Sequence, residues 1–195
     1  MVLTTAYFPP IEYFAILAGY SVVYMEAQES YQKQSYRNRC RILGANGVED
    51  LLIPVVHSSC HNLITDVHVD YSTPWLRKTQ KAIDSAYYTS PFFEYYRDSL
   101  YAVMDAKPET LWEFNIQIIK YFCSKIGIAP QILPTMEFTG EALDIHPKHQ
   151  NTILKDMGID RPYWQGFADR FGFTPGLSIM DLLFNEGPES ICHLK

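Results

Sequence analysis

The sequence contains no long apolar run and no recognisable leader segment, and both absences restrict where the protein can act. No uncharged apolar stretch reaches about 18 residues, so no membrane-spanning helix is predicted. The apolar N-terminus has no preceding basic segment and is interrupted by Pro9-Pro10 and by Glu12, which argues against a signal peptide. We therefore expect a cytoplasmic protein without a membrane span.

Cysteine is scarce, and its spacing argues against a disulfide framework or a metal centre. The chain has four cysteines and no Cys-x-x-Cys pair. Free thiols in a reducing cytoplasm are the simplest interpretation. The stretch "HSSCH" at 57–61 has metal-ligand residue types, but its spacing matches no standard zinc pattern. We expect no metal, and the sequence leaves the identity of any other cofactor open.

Basic residues are outnumbered, and a quarter of them are concentrated in one place. The chain has 16 Lys and Arg against 22 Asp and Glu, a net charge of −6. Nucleic-acid-binding proteins usually have a broad basic face, so no nucleic-acid partner is expected. Yet the acid-free stretch Tyr31–Arg41 holds Lys33, Arg37, Arg39 and Arg41. Such a cluster suits a small anion, such as a phosphate or a nucleotide sugar. A solvated strand face and internal salt bridges are the alternatives.

Glycine-rich nucleotide-binding loops and the His-Glu-x-x-His motif are also absent, so no sequence motif indicates a specific reaction. The order of elements predicts one α/β domain over 1–195, with a mixed sheet that includes a β-hairpin. A strand, a helix and a strand within the first thirty residues indicate a βαβ unit. The stretches "LITDVHVDY" and "QILPTMEF" are predicted as further strands. The oligomeric state is not determined by these patterns.

The middle of the chain, about 73–127, is predicted to be mostly helical. Ser90 and Pro91 indicate the start of a second helix in this half, as N-cap and first residue. A third helix is predicted from Pro108 to Gly127, with an apolar stripe every three or four residues. A polar loop is predicted over about 140–162, and a last helix around Ser178 to Asn185.

The clearest local pattern is a hairpin within "YRNRCRILGANGVEDLLIPVVH". Two β-prone runs flank Asn46-Gly47, a preferred two-residue turn. A turn there pairs Cys40 with Ile53 and Tyr36 with His57. Alternation then divides the side chains between two faces, with Asn38, Cys40, Ile42, Leu51, Ile53 and Val55 on one and Arg37, Arg39 and Arg41 on the other.

Several of these residues are candidates for function as well as for structure. Asn38 lies toward the core side and must be hydrogen-bonded if buried, either to backbone or toward a pocket. His57 ends its strand and is a candidate general base, or a surface histidine without a role. In "TSPFFEYY", Phe92, Tyr95 and Tyr96 share a helical face while Phe93 points elsewhere. This pattern indicates either a core helix or a pocket wall.

With these residues identified, the chain resembles the WbqC-like family in its short bacterial form. The resemblance is carried by "TAYFPPIEYFAIL", "YQKQSYRNRCRI", "IPVVH", "TPW", "AIDSAYYTSPFFEYY", the Phe114-Asn115 pair and "PGLSIMDLLFNEG". It implies a bacterial, cytoplasmic protein, since several members belong to loci for O-antigen or other surface polysaccharide. Relatives often carry histidines near Gln28 and within "LRKTQ", which this chain lacks.

The function expected from the resemblance is group transfer, acyl or aminoacyl, to a sugar precursor. A non-catalytic binding or scaffold protein of the same pathway is the alternative. We predict an anion site where the 31–36 loop enters the hairpin, with His57 as base and Asn38 orienting the ligand. The predicted substrate-binding residues, several of them placed by the resemblance, are Tyr7, Tyr31, Lys33, Tyr36, Arg37, Arg39, Trp75, Phe92, Phe93 and Asn115.

Overall fold

A computed structural model describes residues 1–57, 62–145 and 161–194 and shows an α/β fold, as the element order predicts. Strands β1 (Val2–Leu3), β2 (Val22–Met25) and β5 (Gln131–Pro134) form a parallel sheet in the order β1-β2-β5. Helix α1 (Ile11–Gly19) connects β1 to β2, which confirms the βαβ start. Leu3, Val23 and Met25 are fully buried, so one face of this sheet packs on the core.

The hairpin forms a second, separate sheet rather than part of one mixed sheet. It consists of β3 (Arg39–Gly44) and β4 (Gly47–Leu52). The predicted register was wrong, because the two-residue loop is Ala45-Asn46 and Cys40 pairs with Leu51 instead of Ile53. Gly47 adopts a positive φ of 106° just after the loop, so its conformational freedom is used there. The shift spans an even number of residues, so the predicted inward residues Cys40, Ile42, Leu51 and Ile53 remain buried.

Three helices fill the middle of the chain, as predicted: α2 (Trp75–Tyr87), α3 (Phe93–Asp105) and α4 (Leu111–Ile126). Helix α3 begins after Phe92 rather than at Pro91, because Ser90 instead closes a turn in which its carbonyl accepts from the Phe93 N–H. A capping box between Thr110 and Glu113 starts α4. Gly127, with φ 84°, ends it in the left-handed region.

The C-terminal part contains a short helix α5 (Ala168–Phe171), helix α6 (Ile179–Glu186) and a 3-10 helix over Gly187–His193. The predicted strand in "LITDVHVDY" was wrong. A 3-10 turn over Ile64–Asp66 precedes only isolated bridges, which link His68 to Thr110 and Val69 to Val55. Most of the predicted polar loop, 146–160, lies outside the described residues, as does most of "HSSCH". No described helix is long and apolar enough to cross a membrane.

A line of aromatic rings runs through the core and joins the N-terminal segment to the helices. Tyr7 contacts Phe8 and Phe114 at ring-centroid distances of 4.6 and 5.9 Å. Phe114 in turn lies 6.0 Å from Trp75. Phe8 reaches α4 through Phe122, at 5.9 Å. Edge contacts of this kind add to the stabilisation from burial, and they fix the segment before α1 against α2 and α4.

Candidate functional site

Three segments that are distant in sequence meet along one seam. We use "the seam" for Pro9–Glu12, Arg41 and Ser178–Asp181. The Ser178 N–H donates to the Arg41 carbonyl at 2.8 Å, and the Ile179 N–H donates to the Pro9 carbonyl at 2.9 Å. These backbone bonds hold the start of α6 between the hairpin and the turn before α1.

Asp181 is the central side chain of the seam. It lies in the first turn of α6, which Ser178 caps by accepting from the Met180 N–H at 3.3 Å. Only 2% of Asp181 is exposed. Its Oδ2 accepts from the Tyr163 hydroxyl at 2.6 Å and from Gln165 Nε2 at 2.9 Å. Both donors are neutral, so the described hydrogen-bond partners supply no positive charge to balance the carboxylate.

Gln165 fixes this arrangement because both ends of its amide are engaged. Its Nε2 also donates to the Thr174 carbonyl at 3.0 Å, and its Oε1 accepts from the Thr174 N–H at 2.9 Å. The Asp181 carboxylate therefore receives its hydrogen bonds from a rigid partner. Tyr87, 1% exposed, is near enough to influence the Asp181 charge, although its hydroxyl lacks the geometry of a hydrogen bond.

Because Asp181 and Tyr163 are buried and their described hydrogen bonds involve no cation, the proton affinities of both side chains change. Burial raises the pKa of Asp181 to about 6, even though the hydrogen bonds from Tyr163 and Gln165 and the nearby Tyr87 hydroxyl oppose the rise. Burial, and after it the Asp181 charge, raises the pKa of Tyr163 well above its usual range. The cluster thus places a carboxyl that titrates near neutral pH beside a tyrosine that stays protonated, an arrangement suited to proton transfer.

Glu12, Tyr36 and Arg41 extend the polar cluster toward the hairpin. Burial raises the pKa of Tyr36 to about 12, while the nearby Arg41 guanidinium opposes the rise and Glu12 adds to it. Glu12 also contributes to the raised pKa of Tyr163. One carboxylate therefore acts on tyrosines from both sides of the seam. Half-buried Arg41 supplies a donor fork suited to a phosphate or carboxylate.

The predicted cluster of arginines is divided by the fold. Arg37 is only 3% exposed and lies before β3, where its guanidinium binds Glu29 through two nitrogens and Asp144 at 2.9 Å. Burial by itself lowers the pKa of Arg37, but the hydrogen bonds and charges of Glu29 and Asp144 outweigh it and raise the pKa. Arg37 is thus part of an internal ion-pair network. The prediction that it shares an outer strand face with Arg39 was wrong, since the strand starts only at Arg39.

Asn38 and Asn115 hold the backbone around Arg37. Asn38 Nδ2 donates to the Ile53 carbonyl at 2.9 Å. Asn115 Nδ2 donates to the Arg37 carbonyl at 2.8 Å and contacts the Thr5 hydroxyl at 3.4 Å. These bonds give both amides a structural role. Their roles toward a ligand stay predictions.

The remaining polar residues of the predicted anion site are not brought together by the hairpin. Arg39 pairs with Asp50 at 3.3 Å, and both side chains are partly exposed. Lys33 is exposed in the loop. His57 is exposed and lies beyond the end of β4, so the predicted pairing of His57 with Tyr36 was wrong. The chain leaves the hairpin after Ile53 because Val55 pairs with Val69 instead. The assignment of His57 as a base loses its geometric basis.

The predicted aromatic binding residues are mostly parts of the core. Tyr7, Tyr31 and Trp75 are at most 7% exposed. Phe93 is 1% exposed and packs on Phe184 at 5.2 Å, so it lies on the inner face of α3. The predicted shared face of Phe92, Tyr95 and Tyr96 was wrong, because the buried residues of α3 are Phe93, Tyr96, Leu100 and Met104. Phe92 is half-buried and Tyr95 points outward.

The chemistry of the sequence did not indicate Asp181, Tyr163 or Gln165 as site residues, although the family resemblance includes Asp181 within "PGLSIMDLLFNEG". An available signal was the single acid within the apolar run "LSIMDLLF". An acid in a buried helical face needs partners, and this one finds them in "YWQ" at 163–165. Among the described residues, no group of three or more His, Cys, Asp or Glu side chains could hold a metal ion.

Comparisons with known proteins cover almost the whole chain. The model of the WbqC-like protein family matches residues 5–161. An uncharacterized protein of Mycobacterium tuberculosis (strain ATCC 25618 / H37Rv), Rv1507c, is 24% identical over 219 residues, which span 97% of this chain and 94% of that protein. No solved structure matches. The family match includes the Pro9–Glu12 and Arg41 parts of the seam, and the alignment with the mycobacterial protein spans nearly all of the chain.

Proposed function

Because the chain belongs to the WbqC-like protein family, we propose that it is a group-transfer enzyme of surface polysaccharide biosynthesis. Membership in this family suggests a role related to polysaccharide biosynthesis. The transfer of an acyl or aminoacyl group to a sugar precursor is the finer part of the proposal. The observation that carries it is the buried carboxyl of Asp181, whose described hydrogen-bond donors are all neutral.

Proton transfer is the step that Tyr163 and Asp181 are suited to perform. An acceptor hydroxyl or amine must lose a proton as it attacks the activated carbonyl of the donor. In the proposed step, the Tyr163 hydroxyl accepts that proton while its own proton passes along the 2.6 Å hydrogen bond to Asp181. The acceptor oxygen or nitrogen forms a bond to the carbonyl carbon, and the leaving group departs with the electron pair of its own broken bond to that carbon. Asp181 then returns the proton to the solvent or to the leaving group. A base with a pKa near the working pH is effective in this role.

Arg41 is the proposed contact for the anionic part of the substrate. Its guanidinium is half-buried beside Tyr36, and its carbonyl is tied to the start of α6. Arg37 is less suited because Glu29 and Asp144 already occupy its donors. A nucleotide sugar or another phosphate-containing precursor therefore fits the Arg41 end of the seam better than the 31–36 loop.

A non-catalytic binding or scaffold protein of the same pathway is the second candidate. The buried network of Asp181, Tyr163 and Gln165 would then serve only to fix residues 163–174 against α6. This alternative is favoured by the low exposure of Asp181, which could exchange a proton with a ligand only through Tyr163.

Ligand panels and a matched pair of variants separate the two candidates. Nucleotide sugars, acyl donors, aminoacyl donors and inorganic phosphate are screened by thermal shift, because a ligand of the folded state raises the melting temperature. Pairs that bind are incubated together, and the products are measured by mass spectrometry. We expect transfer by the wild type, at least 100-fold slower transfer by Asp181→Asn, and unchanged transfer by Asp169→Asn, an exposed acid in the first turn of α5. Binding without transfer, equal in both variants, would favour the scaffold.

A further inference from the structure

Two exposed aromatic side chains stand on the segments that hold Asp181. Tyr88 is 72% exposed and directly follows Tyr87, which is 1% exposed. Trp164 is 53% exposed and lies between Tyr163 and Gln165, the two hydrogen-bond donors to Asp181. The inward side chains therefore lie around Asp181, and the residues next to them in the sequence present aromatic rings to the solvent.

Trp164 is hydrogen-bonded to the end of α6 and lies near the residue that follows Tyr88. Its backbone N–H donates to the Glu186 carboxylate at 3.2 Å. A Cβ on Gly166 would lie 3.7 Å from the edge of the Trp164 indole and 3.9 Å from the Thr89 hydroxyl. The indole and the residue after Tyr88 thus approach the same point, and the absence of a side chain at Gly166 leaves that point open.

A groove of about 480 Å³ opens beside Tyr88. Its apolar lining comes from Tyr88 and Phe93, and its charged lining is Asp84, Glu94, Arg97 and Asp98. Arg97 binds Asp84 at 2.7 Å and contacts Asp98 at 3.4 Å, so these charges are already held in place. With three acids and one base, the lining is negative overall.

These properties point to a neutral, hydroxyl-rich ligand. Exposed tyrosine and tryptophan rings offer flat apolar faces to the C–H face of a sugar ring. Carboxylates and a guanidinium provide acceptors and donors for sugar hydroxyls. The negative lining opposes a phosphate or a nucleic acid, and four charged side chains oppose an apolar peptide.

We propose that the surface formed by Tyr88, Trp164 and this groove binds the neutral saccharide part of an acceptor. Its use in catalysis rests on the proposed function, whereas sugar binding itself does not. The surface places the sugar outside the segments that carry Tyr87 and Tyr163, two side chains that lie close to Asp181. An acceptor held against Trp164 would lie against the residue next to Tyr163, the side chain that donates to Asp181.

The test is a titration followed on the indole N–H resonance of Trp164, assigned from the spectrum of Trp164→Phe. The probes are methyl glycosides of glucose, galactose and N-acetylglucosamine, and inorganic phosphate serves as the anionic control. We expect saturable shifts of the Trp164 signal with at least one glycoside. The Trp75 and Trp112 signals provide internal references, because these rings are buried and half-buried.

Matched variants decide whether the shift comes from this surface. Tyr88→Ala should weaken glycoside binding by about five-fold, as loss of one aromatic contact predicts. Tyr95→Ala removes a tyrosine that is 79% exposed and does not line the groove, so it should leave binding unchanged. Asp181→Asn should also keep glycoside binding. Unchanged melting temperatures of the tyrosine variants would show that folding is intact.

Several results would overturn the proposal. These are no Trp164 shift with any glycoside, an equal shift with phosphate alone, or unchanged affinity in Tyr88→Ala. Failure here is distinguishable from failure of the proposed function. Asp181-dependent transfer without glycoside binding would reject only the sugar surface. Glycoside binding without any transfer would support the surface and reject the enzyme.

Discussion

Arg37 and Asp181 are both charged side chains that are almost excluded from water, but their surroundings differ. Arg37 is 3% exposed and binds two carboxylates, those of Glu29 and Asp144. Asp181 is 2% exposed, and its described hydrogen bonds come from the neutral Tyr163 and Gln165. In the first region the positive charge of Arg37 is paired with carboxylates of the protein. In the second region the charge of Asp181 depends on whether its carboxyl is protonated.

The difference indicates which region is built for structure and which for chemistry. In the buried ion-pair network, Glu29 and Asp144 keep Arg37 charged by raising its pKa, although burial still raises the pKa of Glu29 above its usual value. A buried carboxyl with neutral donors can gain or lose a proton near neutral pH. Charge alone suggested the arginine cluster as the site, but the balance of charge after folding favours Asp181.

The largest expected effect comes from breaking the balanced region. Arg37→Ala should lower the free energy of unfolding by about 3–5 kcal/mol, because buried Glu29 and partly buried Asp144 would lose their shared partner. Urea denaturation followed by circular dichroism measures this change. Arg39→Ala is the matched control, since its pair with Asp50 is partly exposed and should contribute less than about 1 kcal/mol. Similar losses in both variants would contradict the distinction.

The second prediction concerns the pH dependence that Asp181 introduces. Its pKa is about 6 in the folded protein and about 3.9 in an unfolded chain. Between these values the folded state holds a proton that the unfolded state has released. The favourable contribution of Asp181 is therefore complete below about pH 4 and is lost as the pH rises through about 6. The full change is at most about 3 kcal/mol.

Asp181→Asn should remove this pH-dependent part. The difference in unfolding free energy between wild type and variant should shift in favour of the variant between pH 4.5 and pH 7.5. Asp169→Asn, with an exposed acid, should show no such trend. A difference for Asp181→Asn that stays constant with pH would mean that the carboxyl is not perturbed as described.

The smallest expected effect tests a neutral contact in the balanced region. Asn115→Ala would leave the buried Arg37 carbonyl without its 2.8 Å donor and should lower the unfolding free energy by about 1–3 kcal/mol. Gln117→Ala, an exposed position on the same helix, should change it by less than about 0.5 kcal/mol. Equal stability of both variants would show that the Asn115 amide does not hold the segment before β3.

Local patterns predicted the elements well, and long-range placement much less well. Gly127 and the apolar stripe of α4 act within one helix, so their effect is visible in sequence. The start of α4 was predicted at Pro108, but the helix begins at Leu111 after the Thr110 cap. The inward face of the hairpin was also predictable, because alternation survives an even shift of register. The register itself failed because the φ 106° at Gly47 lies after the loop. The position of His57 depended on that register.

The chain by itself determined the α/β class, the three middle helices and the inward face of the hairpin, because these follow from local periodicity. Tertiary structure alone decided which charges are paired. Glu29 and Asp144 lie 8 and 107 residues from Arg37 in the sequence, and Tyr163 lies 18 residues from Asp181. Whether a buried charge gains a counter-ion or only neutral donors depends on these contacts, and no local pattern records them.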